Sequence, residues 1–140
     1  MNWRALLIRC ALGGVFIYAG LPKALHPAAF LKSIESYQLV PYALAVLAAA
    51  WMPYVELAVG AACVCRIWER GAYALTGAMA AGFFGLHAYA WARGMTDDCG
   101  CFGPEGVWNS HPAGLVINAV LLAASLWLAR QKNPVPPQQG

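Results

Sequence analysis

The 140 residues are 61% hydrophobic and 11% charged, against about 25% charged in an average soluble domain, and the mean hydropathy is +0.55. Such a chain cannot cover its own core with polar surface, so a soluble globular domain is excluded and a lipid bilayer is its expected surrounding. The net charge of +3 is spread thinly along the chain, with no basic run and no basic-aromatic interleaving, which excludes nucleic-acid binding.

One membrane domain is expected over residues 1–132. Its first span runs over 5–21, apolar except for Arg9 and long enough for the roughly 30 Å hydrocarbon layer with help from its flanks. A secretory signal peptide starts similarly, but it needs a shorter apolar core and a small-residue cleavage site, and Arg9 is awkward for it.

Residues 22–42 are mixed, with Phe30, Ile34 and Tyr37 three or four apart. That spacing predicts a short interfacial helix begun near Pro27 and ended before Pro41, with a plain connecting loop as the alternative. A second span covers 43–64 as one helix kinked at Pro53, because membrane helices tolerate proline when neighbours repair the lost hydrogen bond. The third covers 71–92, where Gly77, Ala81 and Gly85 form a small-residue repeat suited to close helix contact.

A polar loop follows from Arg93 to His111. Asn109 or Ser110 can cap the fourth span, Pro112 suits its first turn, and the span runs over 113–129. The Pro- and Gln-rich tail, 133–140, reads as disordered. The fold class is therefore all-α: an integral membrane four-helix bundle, multi-pass, with a short interfacial helix.

Arg4, Arg66, Arg70, Arg130 and Lys132 gather at one end, with Arg9 near it, while Lys23, Lys32 and Arg93 fall at the other. The positive-inside rule then places both termini in the cytoplasm (N-in, C-in) and both polar segments outside. Trp3, Trp68, Trp91, Trp108 and Trp127 fall at or near span ends as an aromatic belt.

That topology puts Cys99 and Cys101 of Asp97-Asp98-Cys99-Gly100-Cys101-Phe102-Gly103-Pro104 outside the cytoplasm, in a bacterial cell the periplasm, where thiols are kept oxidised. Cys10, Cys63 and Cys65 lie toward the opposite face and read as free, small apolar residues. A bond between Cys99 and Cys101 closes a very small ring, which Gly100 is best able to accept. A strained, exposed disulfide is of the labile, exchanging kind. Two alternatives stand beside exchange: a soft-metal site completed by a ligand such as His26 or His111, and a structural or partner-docking loop. Asp97 and Asp98 argue against an activated thiol, because negative charge disfavours the thiolate.

Glu56 stands near the middle of the second span, where an ionisable group faces the bundle interior and marks function. Counting along the helices leaves Arg9 and Glu56 about 6 Å apart in depth. An Arg9 to Glu56 ion pair is expected, with a protonated Glu56 or a wet cavity as the alternative. His87, near the outer end of the third span, is placed to hydrogen-bond a quinone carbonyl or move its protons, with Asn118 as polar neighbour; the plainer reading is a bond to an adjacent helix.

The patterns Ala19-Gly20-x-x-Lys23, Pro27-x-x-Phe30, Ile34-x-x-Tyr37-x-x-x-Pro41, Pro53-x-x-Glu56-x-x-x-Gly60 and Asp98-Cys99-Gly100-Cys101-Phe102-Gly103 resemble the MauE branch of the DoxX-like membrane proteins. The resemblance covers all but the tail. It implies a four-helix protein of the bacterial inner membrane, associated with methylamine utilisation and with maturation of a disulfide-rich periplasmic dehydrogenase subunit, beside a thioredoxin-like partner. DoxX-like relatives also bring a quinone into consideration as cofactor. Four-helix disulfide generators of the DsbB and VKOR type relay electrons through two outer cysteine pairs, whereas this chain has one, so likeness to them is analogy alone.

The expected function is thus a membrane thiol-disulfide oxidoreductase exchanging electrons between a periplasmic thioredoxin-like protein and a quinone, with Cys99 and Cys101 as the reacting pair. The alternative, from another class, is a non-catalytic scaffold or chaperone that binds a periplasmic client or metal through the outer loop.

Overall fold

A computed structural model describes residues 2–95 and 110–131. Its elements are α1 (Trp3–Leu25), α2 (Pro27–Ser36), α3 (Tyr42–Cys65), α4 (Glu69–Ala92) and α5 (His111–Arg130). The segment carrying Cys99, Cys101, Trp108 and Asn109 lies outside the described residues, as does the tail.

Helix α1 continues past the expected end at Leu21. Pro22 lies inside the helix, at the cost of one backbone hydrogen bond, and the buried stripe Arg9, Leu12, Gly13, Phe16, Ala19, Gly20, Lys23 keeps its three- and four-residue spacing straight across it. The helix ends where the His26 N–H donates to the Pro22 carbonyl at 2.9 Å. Pro27 then opens α2, supplying a φ already suited to a first turn. As expected, α2 turns Phe30 inward, and Tyr37 just beyond it is buried.

Helix α3 passes through Pro53 without a break. It packs antiparallel on α1 with glycine against glycine. A Cβ at Gly13 would stand 2.6 Å from the Gly60 carbonyl oxygen, and one at Gly60 would stand 2.8 Å from that of Gly13. Seven residues along α1, a Cβ at Gly20 would stand 3.0 Å from the carbonyl oxygen of Pro53, seven residues back along α3. The two helices therefore hold one register over two turns.

The α3 to α4 turn uses left-handed backbone at Arg66 and Trp68, and α4 then pairs with α5. Thr76 Oγ1 and Ser125 Oγ lie 3.1 Å apart in this interface, and eleven residues on, Gly114 faces the His87 ring. The buried face of α4 is Ala72, Tyr73, Thr76, Gly77, Ala80, His87 and Ala90. Of the expected small-residue repeat, Gly77 meets α5, whereas Ala81 and Gly85 are exposed. Ser110 occupies the N-cap of α5 as expected, although its side chain makes no capping hydrogen bond. Replacing Thr76 by Val and Ser125 by Ala together should cost about 0.6 kcal/mol, the typical worth of an interhelical hydrogen bond in membrane helices, read from unfolding in detergent.

The polarity of the molecule is reversed relative to a soluble bundle. Arg9, Lys23, Glu56, Thr76, His87, Asn118 and Ser125 are buried, while Leu7, Leu44, Leu47, Tyr54, Val116 and Val120 are among the many large apolar side chains exposed. Such a surface suits lipid, and α1, α3 and α5 are long and apolar enough to cross a membrane. The protein is accordingly an all-helical membrane protein. α4 is equally long but carries more glycine, with Glu69, Arg70, Thr76 and His87 along it.

Candidate functional site

Glu56 and Lys23 are the most enclosed charges among the described residues. The Lys23 ammonium donates to Glu56 Oε1 at 2.6 Å and to Oε2 at 2.9 Å, and both side chains are 1% exposed. Phe30 of α2 and Phe83 of α4 place their ring centroids 5.2 and 4.9 Å from the same nitrogen, adding cation–π attraction in a water-poor setting. One ammonium group thus joins α1 to α2, α3 and α4. Asn118 of α5 borders the small space beside the pair together with Phe83, Val15 and Leu121.

The expected Arg9 to Glu56 pair is corrected by this arrangement. With Gly13 against Gly60, Arg9 is level with Val64, eight residues or about 12 Å of helix from Glu56, twice the offset expected from span counting. Lys23 is closer because α1 does not stop at Pro22. Arg9 instead lies 4.0 Å from Glu69 Oε1, which also accepts from Arg66 Nε at 2.6 Å. A sequence signal for Lys23 existed, since it completes the buried stripe of α1.

A second polar group occupies the end of the bundle where α4 finishes and α5 begins. His87 is fully buried and His111 is 6% exposed, with ring centroids 5.9 Å apart. Tyr37 meets His111 edge-on at 6.5 Å. A Cβ at Gly114 would stand 2.5 Å from His87 Nε2, so only glycine leaves room for this ring. Neither ring nitrogen of His111 has a hydrogen-bond partner among the described residues.

Asn118 donates from Nδ2 to the Gly114 carbonyl at 2.8 Å and lies one turn deeper, beside the Lys23 and Glu56 pair. The close polar neighbour of His87 is therefore His111 rather than Asn118. His111 entered the sequence reading only as an alternative metal ligand. Its position on the first turn of α5, over α4, is a tertiary fact.

Tyr37 also lines an apolar groove of about 510 Å³ between α2, α3 and α4, with Phe30, Met52, Met79, Phe83 and Leu86 in its walls. Leu39 and Val40 at its rim are exposed. This volume falls within the range of small-molecule sites, and Tyr37 in its wall is the residue that meets His111 edge-on.

Of the residues on the sequence patterns noted above, Phe30 and Glu56 meet around the Lys23 ammonium, Gly20 packs on Pro53 and Glu56, and Gly60 sets the helix register against Gly13. A family model for the methylamine utilisation protein MauE matches residues 1–131. The chain belongs to the MauE family. No curated protein and no solved structure matches it. Membership makes this a membrane protein of methylamine utilisation.

The MauE match includes the positions of Cys99 and Cys101, which lie outside the described residues. The helices on either side of that segment are described, however: α4 ends at Ala92 and α5 begins at His111. Both of these helix ends lie at the end of the bundle that holds Tyr37, His87 and His111. Cys10, Cys63 and Cys65 are free thiols, Cys63 packed in the core with Leu12, Phe16 and Tyr73. Among the described residues no three His, Cys, Asp or Glu are grouped to hold a metal.

Proposed function

We propose that this MauE-family protein is a thiol-disulfide oxidoreductase of the bacterial inner membrane that exchanges electrons between a periplasmic thioredoxin-like protein and a quinone, in support of periplasmic protein maturation. The observation that carries the reading is the burial of His87 and His111 at the bundle end where α4 finishes and α5 begins, the two helices that flank Cys99 and Cys101 in the sequence.

All four long helices cross the bilayer in this reading, α4 alongside its antiparallel partner α5, with both termini cytoplasmic. The orientation gains support from Lys23: paired with Glu56 in the interior, it leaves Lys32 and Arg93 as the outer cations, against Arg4, Arg66, Arg70 and Arg130 at the other end.

In the oxidising direction, a partner thiolate attacks one sulfur of a Cys99 to Cys101 disulfide, breaking the S–S bond and forming a mixed disulfide. The second partner thiol then displaces it, leaving an oxidised partner and two thiols on the loop. A quinone, when bound, would supply the acceptor for the two electrons and two protons released as the loop disulfide re-forms. His87 and His111 contribute ring nitrogens able to hold and pass a proton in an apolar setting.

Trapping thiols with a mass-tagged reagent in membranes tests this. The Cys99 and Cys101 pair should shift reversibly between oxidised and reduced forms as quinone and a reduced dithiol protein are added, and the Cys99→Ser, Cys101→Ser double variant should lose quinone-linked oxidation of that protein. Full activity of the double variant, or thiols that remain reduced throughout, would support the scaffold function instead.

A further inference from the structure

The two ring nitrogens of His111, which find no hydrogen-bond partner among the described residues, and the apolar groove are independent observations that both adjoin Tyr37. We infer that together they form one binding site for an amphiphile of the bilayer, a flat carbonyl-bearing head of the quinone class held by His111 and a hydrocarbon tail laid in the groove. The inference rests on the proposed function for the identity of the head, and on His111, Tyr37 and the groove for its place.

A neutral imidazole has one N–H donor and one acceptor nitrogen, and burying both without partners is costly. His111 is 6% exposed and has neither satisfied among the described residues. A carbonyl or hydroxyl on a ligand would meet that need. The edge-on Tyr37 ring bounds this position on one side and the groove on the other. The groove wall is made of carbon and sulfur side chains such as Met52, Met79, Ala78 and Leu86, which offer a tail contact but no polar anchor. Its exposed rim at Leu39 and Val40 gives access from lipid, so the occupant enters laterally and places its head inward.

Asn118 is not part of this site, since it borders the small space beside the Lys23 and Glu56 pair and gives one amide N–H to the Gly114 carbonyl.

The test uses the full-length Cys99→Ser, Cys101→Ser variant in lipid nanodiscs, where the loop thiols are absent, and measures reversible binding of a decyl-tailed and of a tail-less benzoquinone, both fully ring-substituted so that neither adds to the remaining thiols of Cys10, Cys63 and Cys65. His111→Phe should weaken both by about tenfold, the worth of roughly one hydrogen bond, while His111→Gln, which keeps a donor and an acceptor, should hold affinity closer to the parent and controls for folding. Met52→Trp, which fills the groove, should weaken the tailed compound and leave the tail-less one unchanged. Affinity indifferent to His111→Phe, or a groove occupied by phospholipid that neither quinone displaces, would overturn the site. Binding that depends on His111 in a protein whose wild type shows no thiol exchange would sink the proposed function alone; exchange with quinone that ignores His111 and Met52 would sink this site alone.

Discussion

Lys23→Met should destabilise the folded protein by about 3 to 5 kcal/mol, the usual cost of removing one member of a buried ion pair, measured as loss of folded protein on titrating a denaturing detergent into a mild one. The methionine approximates the volume of the lysine stem, so packing is roughly kept and the effect isolates the charge. What remains is a Glu56 carboxylate 1% exposed with neither of its two hydrogen bonds to Lys23. It must then take up a proton or draw in water, and either disturbs the α1 to α3 contact.

The double variant Lys23→Met, Glu56→Leu should recover most of that loss, because replacing a whole buried pair with apolar residues is often neutral or stabilising. If Lys23→Met alone is harmless, the pair is not what holds α1, α2, α3 and α4 at this point. If instead the double variant is stable but inactive in the thiol-exchange assay, the pair serves the reaction as well as the fold.

The second large effect is expected from Gly13→Val, which should cost about 1 to 3 kcal/mol as an overpacked contact, while Gly14→Val should stay within about 0.5 kcal/mol. The two glycines are adjacent and chemically identical, so helix propensity cancels between them. A Cβ at Gly13 meets the Gly60 carbonyl oxygen at 2.6 Å and Val64 Cγ2 at 2.7 Å, whereas one at Gly14 meets nothing within 4 Å. A backbone carbonyl cannot turn aside as a flexible side chain can, so α1 and α3 must separate. That separation would also lift Gly20 from Pro53 and lengthen the Lys23 to Glu56 contact, so the variant should lose part of the ion pair's contribution as well. Equal stability of the two variants would mean that the glycine contact does not set the register.

Several features of this protein were determined by the sequence alone. The deficit of charge demands lipid, since no arrangement of so few polar side chains covers an aqueous surface. Long apolar runs with helical spacing, punctuated at Pro27, Pro41 and Pro112, gave α2, α3 and α5 within a few residues, and the patterns around Lys23, Tyr37, Glu56 and Cys99 pointed to the MauE family. These are local properties, readable from composition and from the period of one helix at a time.

The tertiary structure decided the partners. Pro22 reads as a stop when each segment is taken separately, but the helix continues because one lost hydrogen bond costs less than breaking a stripe that packs on α3. That continuation carries Lys23 to Glu56 and leaves Arg9 to Glu69. Likewise His111 meets His87 only because α4 and α5 run antiparallel with Thr76 beside Ser125, and Asn118 falls one turn too deep by the same register. Depth counted along separate helices has errors of a turn or more, and in a bundle held together by close glycine contacts a turn is the difference between one ion-pair partner and another.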